Sequence, residues 1–180
     1  MLKFALLVLS IVILVTALPV EHAEPHISVD STDPEHRQRV AEAVSRFEAH
    51  GLVLPALRVS FFTDETACRG YFGLFQASTS PWSVRVCSDL DFVVTHELAH
   101  AYLALHLNDA DRAAYLAAYD LPTWNGREVE WRQRGFEDAA FVLQQNLMMP
   151  PRDADGWSAE WERRAEAYEL LTGRPSPLRG

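Results

Sequence analysis

The chain has 180 residues, 48% of them hydrophobic, with 16 Lys+Arg against 25 Asp+Glu and a formal charge of −9. An acidic balance without a basic stripe argues against nucleic acid and anionic membranes as partners. No repeat or low-complexity tract is visible, and the length suits one domain with its own core rather than two.

Residues 1–3 make a short basic start, and residues 4–18 run apolar through Val15, Thr16 and Ala17. Small or short side chains at 15 and 17 suit signal-peptidase cleavage after Ala17, so residues 1–17 read as a signal peptide. The alternative is an uncleaved N-terminal anchor, for which the run is short, since a spanning helix needs about 20 apolar residues. Either way the domain is expected outside the cytoplasm. Losing this segment also removes Lys3, the only lysine.

Residues 18–32 are mostly polar, include Pro19 and Pro25, and read as a leader, which puts the domain at 33–175. Asp33, Pro34 and Glu35 make a helix start: an N-cap, a proline where no N–H is needed, and an acid in the first turn. Val40, Ala43, Val44 and Phe47 give that helix one apolar face, and His50 and Gly51 end it. His36 and His50 are expected at the surface. Residues 57–62 alternate as a half-buried strand does. A glycine- and aromatic-rich stretch follows at 69–75, then turn-forming residues 76–81 and a second strand at 82–87. The two strands read as a hairpin leading into the next helix, which Ser88 or Asp89 would cap. Two cysteines in an exported chain are most simply a disulfide. Joining Cys68 to Cys87 would close a loop of about 20 residues and contribute up to about 3 kcal/mol.

Residues 92–107 contain no Gly or Pro and carry good helix formers. Within them His96, Glu97 and His100 stand in the pattern H-E-x-x-H. On a helix the two histidines are about 40° apart round the axis and about 6 Å along it, so both imidazoles project from one face. That is the spacing for two nitrogen ligands of one tetrahedral zinc ion. Glu97 lies about 100° round from His96, beside the metal, where a carboxylate can take a proton from zinc-bound water. The flanking Phe92, Val93, Val94, Leu98, Ala99, Ala101, Leu103 and Leu105 belong to a core helix. Burying two imidazoles and a carboxylate there without partners would cost several kcal/mol, and a metal ion supplies the partner. A chain of this composition gives about 0.02 chance matches to the pattern, which disfavours coincidence.

Asn108 and Asp109 open a short alanine-rich helix through Tyr119, and residues 121–126 break the chain. A further helix is expected from about Gln133 to Leu147, with Phe136, Ala140, Leu143 and Leu147 on one face, ending before Pro150 and Pro151. Ser158 caps a last helix over 159–171, closed by Gly173, with Trp161, Ala165, Tyr168 and Leu171 or Leu170 as its packing side. Residues 176–180 are expected to be a disordered tail.

On H-E-x-x-H the chain resembles the zincin metallopeptidases. The resemblance implies one catalytic zinc and hydrolysis of peptide bonds. Two helix-borne histidines leave such a zinc one protein ligand short. Glu137, on the later helix whose Ala139 and Ala140 permit close approach, resembles the glutamate that completes gluzincin sites. Residues 68–147 are also similar to small exported bacterial proteins of metallopeptidase type. The competing third ligand is His106, because His96-Glu97-x-x-His100-x-x-Leu103-x-x-His106 matches metzincin spacing except at Leu103, where that family has glycine. Leu103 favours a continuing helix, on which His106 would point about 240° away from His100. Met148 would be the matching methionine turn, but it sits at a helix end. Gluzincins often place an aspartate four residues after the ligand glutamate. That position is Phe141, so Asp138 is the substitute candidate for orienting a zinc histidine, with a surface ion pair to Arg134 as the plainer role. An oxyanion helper would have to come from Tyr115, Tyr119, Tyr168 or an arginine.

The expectation is therefore an α+β domain, a small antiparallel or mixed sheet packed against about five helices. Its expected role is an exported, monomeric, zinc-dependent peptidase acting on peptides or proteins, with Glu97 as base and His96, His100 and Glu137 as ligands. A substrate strand is expected to add to the edge formed by 82–87. The alternatives are a binding or assembly protein with a closed structural zinc, a hydrolase of non-peptide amides, and a metzincin-type enzyme using His106.

Overall fold

Alternating apolar residues in two short strands, Leu57 and Val59, Val84 and Val86, all turn into the core and are essentially fully buried. They belong to the sheet of an α+β fold. The computed structural model describes residues 27–151 and 157–179, so the expected signal peptide or anchor at 1–17 lies outside the described residues. In chain order the elements are β1 (Ile27–Asp30), α1 (Pro34–Ala49), β2 (Leu57–Phe61), β3 (Gly73–Gln76), β4 (Trp82–Val86), α2 (Phe92–His106), α3 (Asp109–Tyr119), α4 (Gly135–Met148) and α5 (Ala159–Thr172). Short 3-10 turns lie at Glu65–Cys68, Trp131–Gln133 and Pro177–Arg179.

The sheet order is β1-β2-β4-β3. Strands β1, β2 and β4 are parallel, with Val59 opposite Val84, and β3 runs antiparallel to β4, with Phe75 opposite Val84. This corrects the expected hairpin. The strand at 82–86 pairs in parallel with the one at 57–61, and its antiparallel partner comes from the glycine- and aromatic-rich stretch between them. A parallel pair needs a long crossover, and β3 lies within it. It follows that β4 is internal and offers no free edge, contrary to expectation; β3 is the edge strand on that side.

Residues 27–30, expected to be leader, form β1, with Ile27 opposite Leu57. Four residues at a sheet edge are too few for alternation to stand out from a polar context. Helix α1 starts as expected, with the Glu35 N–H donating to Asp33 Oδ1 at 2.9 Å, and buries Val40, Ala43 and Phe47. His36 is not simply at the surface: it stacks on Phe61, ring centroids 3.9 Å apart. The expected tail is also ordered. Leu178 is fully buried, the Ser176 hydroxyl donates to Asn146 Oδ1 at 2.6 Å, and Arg179 pairs with Glu162 and Glu169. A single apolar residue after Pro177 gave no periodicity by which to see this docking.

Helix α2 is the hub. It packs against α4, α1, β3 and β4, and residues 93–103 are all buried. A helix apolar on every side can be stable only in such surroundings. Phe92 and Leu105, near its ends, are exposed instead. Its cap position is Asp91, without a side-chain hydrogen bond; Ser88 instead accepts the Leu90 N–H at 3.2 Å.

Candidate metal centre and its cleft

One turn of α2 places His96 and His100 side by side, ring centroids 4.7 Å apart and planes near perpendicular at 84°. The third donor needs α4 to begin in the right place. The broken segment before it turns back, so that the Gly135 and Phe136 N–H groups donate to the carbonyls of Thr123 and Trp124 at 2.9 and 2.8 Å. These bonds satisfy N-terminal donors that a side-chain cap would otherwise serve. Gly135 is required by close approach, since a Cβ there would lie 2.6 Å from Leu116 Cδ2 and 2.9 Å from the Trp124 ring. Two residues later Glu137 points back at α2, and Ala139 and Ala140, both fully buried, let the helices come together.

His96 Nε2 lies 3.4 Å and His100 Nε2 3.1 Å from the same Glu137 oxygen, Oε2. Ligand atoms from the three residues all lie within 4.8 Å of one another. Two atoms each about 2.1 Å from one tetrahedral centre stand about 3.4 Å apart, so the cluster has the dimensions to hold a metal ion. Protonation suits it too. Burial lowers the pKa of His100 and favours its neutral form. Burial works to raise the Glu137 carboxyl, but hydrogen bonds from His100 and His96 overcome it and bring it down to about 2. A neutral imidazole at His100 and an ionised carboxylate at Glu137 are donor forms that a cation requires.

Glu97 is 5% exposed. Burial, partly offset by His96 and reinforced by the Glu137 charge, lifts its carboxyl to about 7, while a hydrogen bond from the Phe75 backbone limits the rise. The carboxylate lies against β3 where that strand has no side chain: a Cβ on Gly73 would sit 2.4 Å from Glu97 Oε1. The glycine- and aromatic-rich stretch was visible in the sequence, but not its partner across the fold.

The outer contacts differ from those expected. Asp138 accepts the Tyr115 hydroxyl at 2.7 Å and orients neither histidine; nor does it pair with Arg134, whose Nη2 donates to the Val129 carbonyl. His100 Nδ1 is buried with no partner among the described residues. Aromatic faces hold the rings instead: Phe136 stacks on His100 at 4.1 Å, and Trp131 faces His96 at 6.0 Å. His106 is off the cluster. Helix α2 runs through Leu103 to His106, whose Nε2 meets the Val53 carbonyl at 2.7 Å. Cys68 and Cys87 form a disulfide, away from the donor set.

A cleft of about 880 Å³ opens over the cluster. The sheet side contributes residues 70–75, and the helix side contributes Trp131, Arg132, Arg134, Phe136, Phe141 and Arg164. Tyr115, Tyr119 and Tyr168 do not line it; Tyr71 does. No helix among the described residues is long and apolar enough to cross a membrane, and the disulfide suits an oxidising compartment. Comparison with protein-family models, curated proteins and solved structures gives no match to this chain.

Proposed function

We propose that the chain is an exported zinc-dependent peptidase of gluzincin type. One observation carries this reading: two histidines and a glutamate converge to metal-binding dimensions beside a buried glutamate that is not among them, at the floor of a solvent-open cleft. A closed structural site has no use for that fourth group. His96, His100 and Glu137 are the residues that would hold the ion. What zinc supplies in such a site is acidification of water and polarisation of a carbonyl.

The chain's own residues do the rest. Glu97 accepts the proton of the attacking water and returns it to the leaving amine as the C–N bond breaks. Burial raises this carboxyl in the metal-free site, and a cation bound beside it would draw it back toward the ionised form that accepts a proton. Gly73 and the Phe75 N–H seat this carboxylate at the cleft floor. Edge strand β3, rather than β4, is the segment on which an extended substrate can lie.

The test is digestion of a peptide library by the mature protein, with and without a chelator and with zinc restored. Cleavage should be lost on chelation and recovered with zinc. Glu97→Gln should keep near-stoichiometric zinc by elemental analysis while hydrolysis collapses. Zinc loss from that variant, or chelator-insensitive cleavage, contradicts the assignment.

A further inference from the structure

Six aromatic side chains are exposed among the described residues, and five of them, Tyr71, Phe72, Phe92, Trp131 and Phe141, line the candidate metal cleft; only Phe62 lies elsewhere. Aromatic rings left in water at random would scatter over the surface. Concentrated in one concave site, they offer large apolar area for a ligand to cover. The rings stand on both sides. Tyr71 and Phe72 sit on the sheet-side wall, which the Cys68–Cys87 bond and the Cys87 N–H to Phe72 carbonyl contact at 2.8 Å hold in place. Trp131, 6.0 Å from the His96 ring, and Phe141, one turn beyond Glu137, form the facing wall. Aromatic side chains therefore stand on both walls of the cleft.

Charge adds a second selection. The chain as a whole carries −9, yet Arg132 and Arg134 line this cleft and neither makes an ion pair among the described residues. The cleft carboxylates are otherwise engaged: Glu137 with the histidines, Glu97 against β3, and Asp138 with Tyr115. What faces an incoming chain is positive, the reverse of the overall sign.

We propose that the cleft takes extended peptide segments that place a large apolar side chain beside the bond to be cut, with acidic rather than basic residues flanking it. The proposal rests on the peptidase reading and assigns its substrate class. Trp131 and Phe141 supply the apolar contact on the helix side, and Arg132 attracts the acidic flank.

Three hexapeptide libraries test it, one with Phe fixed at a central position and Glu flanks, one with Ala in place of Phe, and one with Lys in place of Glu. Each is assayed for cleavage by the zinc-loaded protein and for equilibrium capture by zinc-loaded Glu97→Gln. Capture of the Phe/Glu library should exceed that of the Ala/Glu library about tenfold or more, the scale of burying one aromatic side chain. The Lys library should bind several-fold more weakly, and the gap should narrow as salt is raised. Trp131→Ala and, independently, Phe141→Ala should shrink the Phe/Ala ratio, and Arg132→Glu should shrink the Glu/Lys ratio alone. Equal capture of the Phe and Ala libraries, a preference for Lys flanks, or no capture of any library overturns the proposal. Preferential capture without cleavage would sink the peptidase reading and leave the specificity standing; cleavage without preference would do the opposite.

Discussion

The two histidines and the glutamate of the candidate metal cluster reach it by different physics. His96 and His100 are one turn apart on a helix buried along its middle, so their relative placement follows from helical geometry alone. Glu137 is 37 residues beyond His100 and is brought in by α4 packing on α2. Its position depends on where α4 starts, on a backbone return through Thr123 and Trp124, and on small residues at 135, 139 and 140. Local geometry makes a ligand pair that survives as long as the helix does. Tertiary packing makes a third ligand that many distant changes can move.

Removing the tertiary ligand should have the largest effect. Glu137→Ala should weaken zinc binding by more than about 100-fold, beyond what loss of an outer-shell partner costs, as read by competition with a chromophoric chelator. His106→Ala should leave zinc content unchanged and cost only about 1–2 kcal/mol of stability, because what is lost is its bond to the Val53 carbonyl and its ring contact with Tyr102 at 4.3 Å. Zinc lost with His106 and kept without Glu137 would reverse the comparison.

Next in size is a pH effect in the metal-free protein. The folded Glu97 carboxyl titrates near 7 and its unfolded counterpart near 4.5. Because this acid is raised by folding, the folded state holds the extra proton between those values, and stability falls as pH rises through that window. Glu97→Gln should remove the fall, gaining up to about 3 kcal/mol over the metal-free wild type above pH 7. Parallel urea titrations at pH 5 and 8 measure it, and an equal difference at both pH values would contradict the assignment.

Smaller effects separate the two routes. Gly135→Ala should cost about 1–3 kcal/mol by overpacking against Leu116 and Trp124, and should weaken zinc binding by shifting Glu137. Gly73→Ala should leave zinc affinity nearly unchanged, cost stability on the same scale as Gly135→Ala, and slow hydrolysis about tenfold, because the new methyl group displaces the buried Glu97 from its seat. A Gly73→Ala protein with full activity would show that this close approach does not set the base.

The same contrast explains what the sequence could reveal. His96, Glu97 and His100 are legible because one periodicity, 3.6, fixes their relation, and α1, with Asp33 and Pro34 at its start, is legible for the same reason. Glu137 could be proposed from family resemblance and nearby alanines, but its distance from the histidines is a property of helix packing. Features set by long-range pairing were misread or missed. The strand at 82–86 pairs in parallel with one some twenty residues earlier, β1 is too short to signal itself, and Leu178 is buried in a segment expected to be disordered. Asp138 was within reach of the site by spacing, but Tyr115 from α3 takes its carboxylate, a contact no spacing rule contains.

The Cys68–Cys87 bond spans a sequence separation of 19 and encloses the whole of both β3 and β4. For the folding chain this changes a question of distance into one of registration. Before oxidation, β3 must find its partner strand while the whole crossover wanders, an entropic cost that grows with the logarithm of the segment length. Afterwards both strands lie in one covalent ring whose closure abuts the Gly73–Val86 rung, so fewer registers remain to be searched. The wall that seats the proposed base can therefore settle as a unit, on its own timescale, while the opposite wall waits for α4 to dock.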